Sequence, residues 1–176
     1  FNPKAKEALD KFYARKDTLS LGICNGCQLM VELGLTGAKG AKMLHNDSHK
    51  FESEFISLSI PQNNSVMFGS LSGSKLGLWV AHGEGKFHLP EAESEYNIIA
   101  KYNYADYPAN PNGSDYNVAG ICSEDGRHLC MMPHLERAFF PWQNAWYPAN
   151  RSHDEVTPWI EAFVNARKWV ETMHNA

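Results

Sequence analysis

The chain has no apolar run approaching the roughly 20 residues that span a bilayer, no dense lysine or arginine run, no internal repeat and no low-complexity tract. With a net charge of -4, nucleic acid and anionic membrane are poor partners, and no membrane association is expected. The opening residues do not read as a signal peptide. Four cysteines among 176 residues are too few for a disulfide framework in a domain of this size. A cytoplasmic chain in a reducing compartment is therefore expected. What is present is ordinary for a folded domain: 43% hydrophobic and 12% aromatic residues, in a length that suits one domain with a substantial core.

The chemistry concentrates in Leu21-Gly22-Ile23-Cys24-Asn25-Gly26-Cys27-Gln28. Thr18 to Ile23 reads as a short strand, and from Gln28 the apolar positions Leu29, Met30 and Leu33 recur at helical spacing until Gly34. Cys24 thus falls at a strand-to-helix turn flanked by Gly22 and Gly26, the cysteine counterpart of a G-x-S-x-G nucleophile elbow. A helix N-terminus favours the thiolate, which is the reactive form of cysteine. Cys27 would lie one turn inside the helix. Cys24-x-x-Cys27 could instead be a redox pair or half of a metal site. Cys122 and Cys130 form no second C-x-x-C and fall on what reads as a hairpin, so no metal is expected.

Asn2 and Pro3 can start a helix whose Ala5, Ala8, Leu9, Phe12 and Tyr13 make one apolar stripe. In a parallel α/β sheet the Cys24 strand would need neighbours on both sides. No strand precedes it, so later strands supply both or the N-terminal strands are missing from this piece. His45 and His49 sit in a polar run that reads as a solvated loop. Phe51 to Ile60 is predicted as a strand with Phe55, Ile56, Leu58 and Ile60 in the core. Leu76 to Ala81 is a second strand, emptying into His82-Gly83-Glu84-Gly85, which is either a ligand-binding turn or an ordinary glycine turn. Tyr96 to Tyr102 is another strand. A turn-rich loop follows at 107–114, then a hairpin of 117–122 and 127–132 around Glu124-Asp125-Gly126. Thr157 and Pro158 open a last helix with Trp159, Phe163, Ala166 and Val170 as its buried face, and Trp142, Trp146 and Tyr147 read as packing residues.

Cys24 needs a base, and His134 is the best of eight histidines. It leaves a strand end after Pro133, and extended backbone would put Glu136 on the same side, where a carboxylate could orient the imidazole. By itself this pair would read as an ordinary surface pair; the elbow turns it into a candidate catalytic pair.

Gly22-Ile23-Cys24-Asn25-Gly26-Cys27-Gln28, with His134-x-Glu136 about a hundred residues later, resembles the class I (triad) glutamine amidotransferases. Lys50-Phe51-Glu52-Ser53, Ala81-His82-Gly83-Glu84-Gly85, the segment 107–114 and Met131-Met132-Pro133-His134 narrow the resemblance to the formylglycinamide ribonucleotide amidotransferase family, over essentially the whole chain. The resemblance implies an α/β, flavodoxin-like, three-layer fold with a central mostly parallel sheet, lacking its N-terminal strands here. It implies that residues 1–176 are a glutaminase domain, incomplete at its N-terminus, from the C-terminal part of a larger synthetase. It implies a triad of Cys24, His134 and Glu136 forming a γ-glutamyl thioester, oxyanion stabilisation by the Asn25 N–H, and substrate contacts from Gln28, His82, Gly83 and Glu84. ATP and Mg²⁺ would belong to a synthase domain of the same polypeptide, which binds formylglycinamide ribonucleotide and receives the ammonia for purine biosynthesis. No cofactor is expected in this domain. Two departures stand out: Leu135 replaces the family's usual proline and is expected to loosen the local backbone, and no glycine-rich loop with a second oxyanion donor precedes Phe1. Loss of one donor typically costs about a hundred- to a thousand-fold in rate, so weak or absent activity is expected of the piece alone. Another class I amidotransferase, a cysteine hydrolase or a non-catalytic docking fragment are the alternatives.

Overall fold

The computed structural model describes residues 2–174. In chain order the elements are α1 (Pro3–Ala14), β1 (Ser20–Ile23), α2 (Asn25–Glu32), β2 (Lys42–Leu44), β3 (Glu52–Ser59), β4 (Lys75–His82), β5 (Lys86–His88), β6 (Ile98–Tyr102), β7 (Val118–Cys122), β8 (His128–Met131) and α3 (Glu161–His174). The turn between β7 and β8 carries Gly126 at φ 76°, a left-handed conformation that suits glycine, and it folds the predicted hairpin antiparallel. β1 then adds in parallel to the other edge of β8, with Gly22 opposite Cys130 and Ile23 opposite Met131.

The main sheet has six strands in the order β1-β8-β7-β6-β3-β4. The α/β architecture is as expected, but the sheet is mixed rather than mostly parallel: only β1–β8 is parallel, and the other four pairs are antiparallel. The reason lies in the connections. A parallel pair needs a long crossover, usually helical, whereas β3 to β4, β6 to β7 and β7 to β8 are linked without an α-helix. β2 and β5 form a separate antiparallel ribbon.

Two apolar cores flank the sheet. One joins Ile56, Leu58, Leu78 and Val80 to Phe68, Trp159 and Ala162; the other joins Cys27, Met30 and Val31 of α2 to Phe87, Ile121 and Met132. In β3 the alternation sends Ile56, Leu58 and Ile60 inward, while Phe55 lies on the opposite face in edge contact with Trp79. Trp159 in the 3₁₀ turn Pro158–Ile160 and Ala162 of α3 are buried and Ala166 is partly buried, whereas Phe163 and Val170 are exposed, because the 3₁₀ turn shifts the helical phase by part of a turn. The stripe of α1 buries no residue, although Tyr13 rests on His128 at 4.3 Å between ring centroids. Trp142 and Trp146, expected to pack, are 79% and 71% exposed.

Six strands laid flat, about 4.8 Å apart, would separate β1 from β4 by roughly 24 Å. Instead the Cys24 thiol at the end of β1 lies 3.6 Å from the carbonyl oxygen of Ala81 in β4. Just beyond β8, the His134 N–H donates to the Trp79 carbonyl at 2.8 Å. The sheet is therefore curled into a half-barrel whose outer edges meet, and the candidate site lies on that seam.

Candidate active site

Cys24 stands between β1 and α2 at φ 52°, ψ -106°, a backbone conformation that few non-glycine residues adopt. It is held on both sides: its N–H donates to the Met131 carbonyl at 2.9 Å, and its own carbonyl accepts from Gln28 N–H at 3.0 Å. Such strain persists only where the surroundings over-determine it. Gly22 is part of that enclosure, since a Cβ there would lie 2.5 Å from Met30 Sδ and 2.7 Å from the Gly26 carbonyl oxygen. Gly26 differs, because a Cβ on it would meet nothing within 4 Å. Cys27 faces the core with no exposed surface.

The helix N-terminus does not by itself make Cys24 a thiolate. Partial burial raises the thiol above its ordinary value, and this outweighs the Asn25 N–H and Arg137, which favour the anion; Glu136 adds to the upward push. A neutral thiol of this kind needs a base.

His134 is 92% buried, and its Nδ1 lies 2.6 Å from Glu136 Oε1. With Nδ1–H donating to the carboxylate, Nε2 is left as the proton acceptor, and that atom is buried without a hydrogen-bond partner. The extended backbone expected here is instead a 3₁₀ turn, Leu135–Arg137, closed by the Arg137 N–H to the His134 carbonyl at 3.1 Å. Leu135 is fully buried in the core beside β4, so its side chain anchors this turn to the core.

The turn after β4 completes the surroundings. Gln28 Nε2 donates to the Glu84 carbonyl at 2.8 Å, tying α2 to His82-Gly83-Glu84-Gly85. The His82 ring points inward, only 2% exposed, with neither nitrogen hydrogen-bonded. Burial, reinforced by His134, pushes it down to about 4, so it is neutral at pH 7. Glu52 stands opposite His82 across β3 and β4. Thus Cys24, Asn25, Gln28, His134, Glu136 and the backbone of the 82–85 turn are gathered at one place, with the His82 ring beneath rather than on the surface. Sequence reasoning missed the carbonyls of Trp79 and Ala81, as no side-chain pattern marks a backbone acceptor. It also missed Asn46, which lies in the polar run read as a loop and has no exposed surface. Among the described residues no group of three His, Cys, Asp or Glu side chains is arranged to hold a metal ion.

Residues 1–170 match the CobB/CobQ-like glutamine amidotransferase domain. The chain is 41% identical over 198 aligned residues to phosphoribosylformylglycinamidine synthase of Homo sapiens, an alignment covering 96% of this chain and 15% of that protein. It is 40% identical over 195 residues to the probable chloroplastic/mitochondrial phosphoribosylformylglycinamidine synthase of Arabidopsis thaliana, covering 98% of this chain and 14% of that protein. The chain thus spans about one seventh of the length of these curated relatives. Among solved structures, PurLQS from Thermotoga maritima superposes with a TM-score of 0.73 at 25% identity, covering 95% of this chain and 68% of that one. A glutamine amidotransferase from the same organism, at 18% identity and a TM-score of 0.51 over 96% of this chain and 60% of that one, shares the fold.

Proposed function

The chain belongs to the CobB/CobQ-like glutamine amidotransferase domain family, and on that premise we propose that it hydrolyses the side-chain amide of glutamine at Cys24. His134 Nε2 takes the thiol proton, and the thiolate attacks the carboxamide carbon. The tetrahedral oxyanion is met by the Asn25 N–H at the start of α2, where the helix dipole adds to the donor. His134 then gives its proton to the departing nitrogen, ammonia leaves, and a γ-glutamyl thioester remains. Water, giving a proton to His134, cleaves the thioester to glutamate and restores the thiol. Glu136 keeps the imidazole in the useful tautomer and stabilises its charged form. Gln28 and the 82–84 turn line the place where glutamine would lie.

The observation carrying this reading is the strained Cys24 at a helix N-terminus, on the seam where His134, paired with Glu136, is bonded to the same strand that the thiol touches. The likeness to phosphoribosylformylglycinamidine synthases supports a wider role: ammonia supply to a synthase domain that uses ATP and Mg²⁺ to convert formylglycinamide ribonucleotide into its amidine. ATP and Mg²⁺ act in that other domain.

Labelling with a glutamine-analogue electrophile tests the reading. Label is expected on the wild type and on Cys27→Ser, and lost in Cys24→Ser. Label retained in Cys24→Ser and lost in Cys27→Ser would sink the assignment, and preference for a peptide electrophile over the glutamine analogue would favour a protease.

A further inference from the structure

The 82–85 turn is fixed by two asparagines that the reaction itself leaves unused. Asn46 and Asn112 come from separate loops, and neither has any exposed surface. Asn46 Nδ2 donates to the His82 carbonyl at 2.8 Å and to the Lys50 carbonyl at 3.0 Å, and its Oδ1 accepts from Gly85 N–H at 2.9 Å. Its own N–H donates to the Gly83 carbonyl at 2.9 Å. Asn112 Nδ2 donates to the Gly85 carbonyl at 2.8 Å and to the Tyr102 hydroxyl at 2.8 Å, and its Oδ1 accepts from Ser114 N–H and Oγ–H. Both polar backbone atoms of Gly85 are therefore held by buried amides from opposite sides. Gly85 can carry no side chain there, since a Cβ would lie 2.5 Å from His82 Nδ1.

β4 belongs to the main sheet and β5 to the small ribbon, so the turn joins strands that are not paired to each other and cannot use a hairpin's own ladder. The fixed turn directly follows the Ala81 carbonyl of β4, which lies beside the Cys24 thiol, and its own Glu84 carbonyl holds Gln28 of α2. We infer that Asn46 and Asn112 are positioning residues which set this turn as the glutamine-facing wall of the site. The inference rests on the glutamine reading above. A buried amide with every donor and acceptor used has one low-energy placement, and replacing it leaves backbone groups unpaired. The wall would then move while the elbow, fixed by β8 and Gly22, stays.

The test uses the full chain as wild type, Asn46→Ala and Asn112→Ala, with thermal melts to confirm folding. Cys24 alkylation is measured with iodoacetamide, which needs only the thiol, and with a glutamine-analogue chloroketone, which also needs the wall. In the folded variants the chloroketone's half-saturation concentration is expected to rise about tenfold, the loss of roughly one hydrogen bond's worth of orientation, with its limiting rate and the iodoacetamide rate nearly unchanged. If one alanine variant does not fold, the other carries the test, since each removes an amide from a different side of Gly85. Equal slowing by both reagents, or no change with either, overturns the inference. A wild type that reacts with iodoacetamide but not with the chloroketone overturns the glutamine reading and this inference with it.

Discussion

Gly22 and Gly26 flank Cys24 symmetrically in sequence, and the structure predicts opposite results for the same substitution at each. In Gly22→Ala the new methyl would sit 2.5 Å from Met30 Sδ, 2.7 Å from the Gly26 carbonyl oxygen and 2.8 Å from its carbon. The thioether can swing away. The Gly26 peptide cannot, because it lies in the first turn of α2, so helix and strand must separate by a few tenths of an ångström or more. Overpacking of this kind costs about 1–3 kcal/mol. For a chain of this length that is a fall in melting temperature of roughly 2–12 °C. The same separation displaces Cys24 from the seam, where an error of about 1 Å costs up to a hundredfold in rate. In Gly26→Ala the methyl meets nothing within 4 Å, and a helical glycine becomes alanine, which favours the helix by up to about 1 kcal/mol. Thermal melts and Cys24 alkylation by iodoacetamide, run on both variants, make the comparison. Gly26→Ala should melt at or above the wild type with its thiol reactive, and Gly22→Ala should lose both stability and reactivity. A Gly26→Ala variant destabilised as much as Gly22→Ala would refute the account of the elbow.

The buried His82 makes an acid-side prediction. Its ordinary value of 6.5 is lowered to about 4 in the fold, so below pH 6.5 the unfolded chain binds a proton that the native chain refuses. Stability from this group is thus complete above pH 6.5 and lost as pH falls toward 4, to a total of about 3 kcal/mol. Urea unfolding of His82→Gln should show a shallower loss between pH 7 and pH 4.5 than the wild type; parallel curves would exclude this origin. Leu135→Ala, at a fully buried core position, should cost about 2–4 kcal/mol and lower the melting temperature accordingly, whereas an unchanged melt would mean that the turn is not pinned from the core. Trp142→Ser and Trp146→Ser, at sites 79% and 71% exposed, should each change stability by no more than about 0.5 kcal/mol, measured by the same melts.

What was legible in the sequence was local. The elbow, the β7–β8 hairpin and the Thr157-Pro158 helix start are each written in a few adjacent residues: turn formers, caps and short apolar runs. The candidate residues Cys24, His134 and Glu136 were legible for the same reason, as spacing within short segments. Strand direction was not, because it is set by whether a connection crosses over, and loops without helices leave no pattern for that. Nor was the fate of Phe55, Phe163, Trp142 and Trp146 legible, since hydrophobicity says that a side chain prefers burial and not whether a neighbour arrives to cover it. The lowering expected for the Cys24 thiol was outweighed by burial, a tertiary quantity. Asn46 shows the limit most sharply: amid His45, Asp47, Ser48 and His49 it reads as solvated, yet it is buried because its partners are backbone atoms some 40 residues away.

The curl of the sheet brings the two candidate residues Cys24 and His134 to a common strand. The Trp79 and Ala81 carbonyls, two residues apart on β4, both point from the edge away from β3, since β3 occupies the other edge. Two residues of antiparallel strand span about 6.8 Å. One carbonyl accepts from the His134 backbone and the other lies against the Cys24 thiol, so the two candidate residues share contacts with a single strand. A further contact over this seam, Gln28 to Glu84, comes from the turn that directly continues that strand.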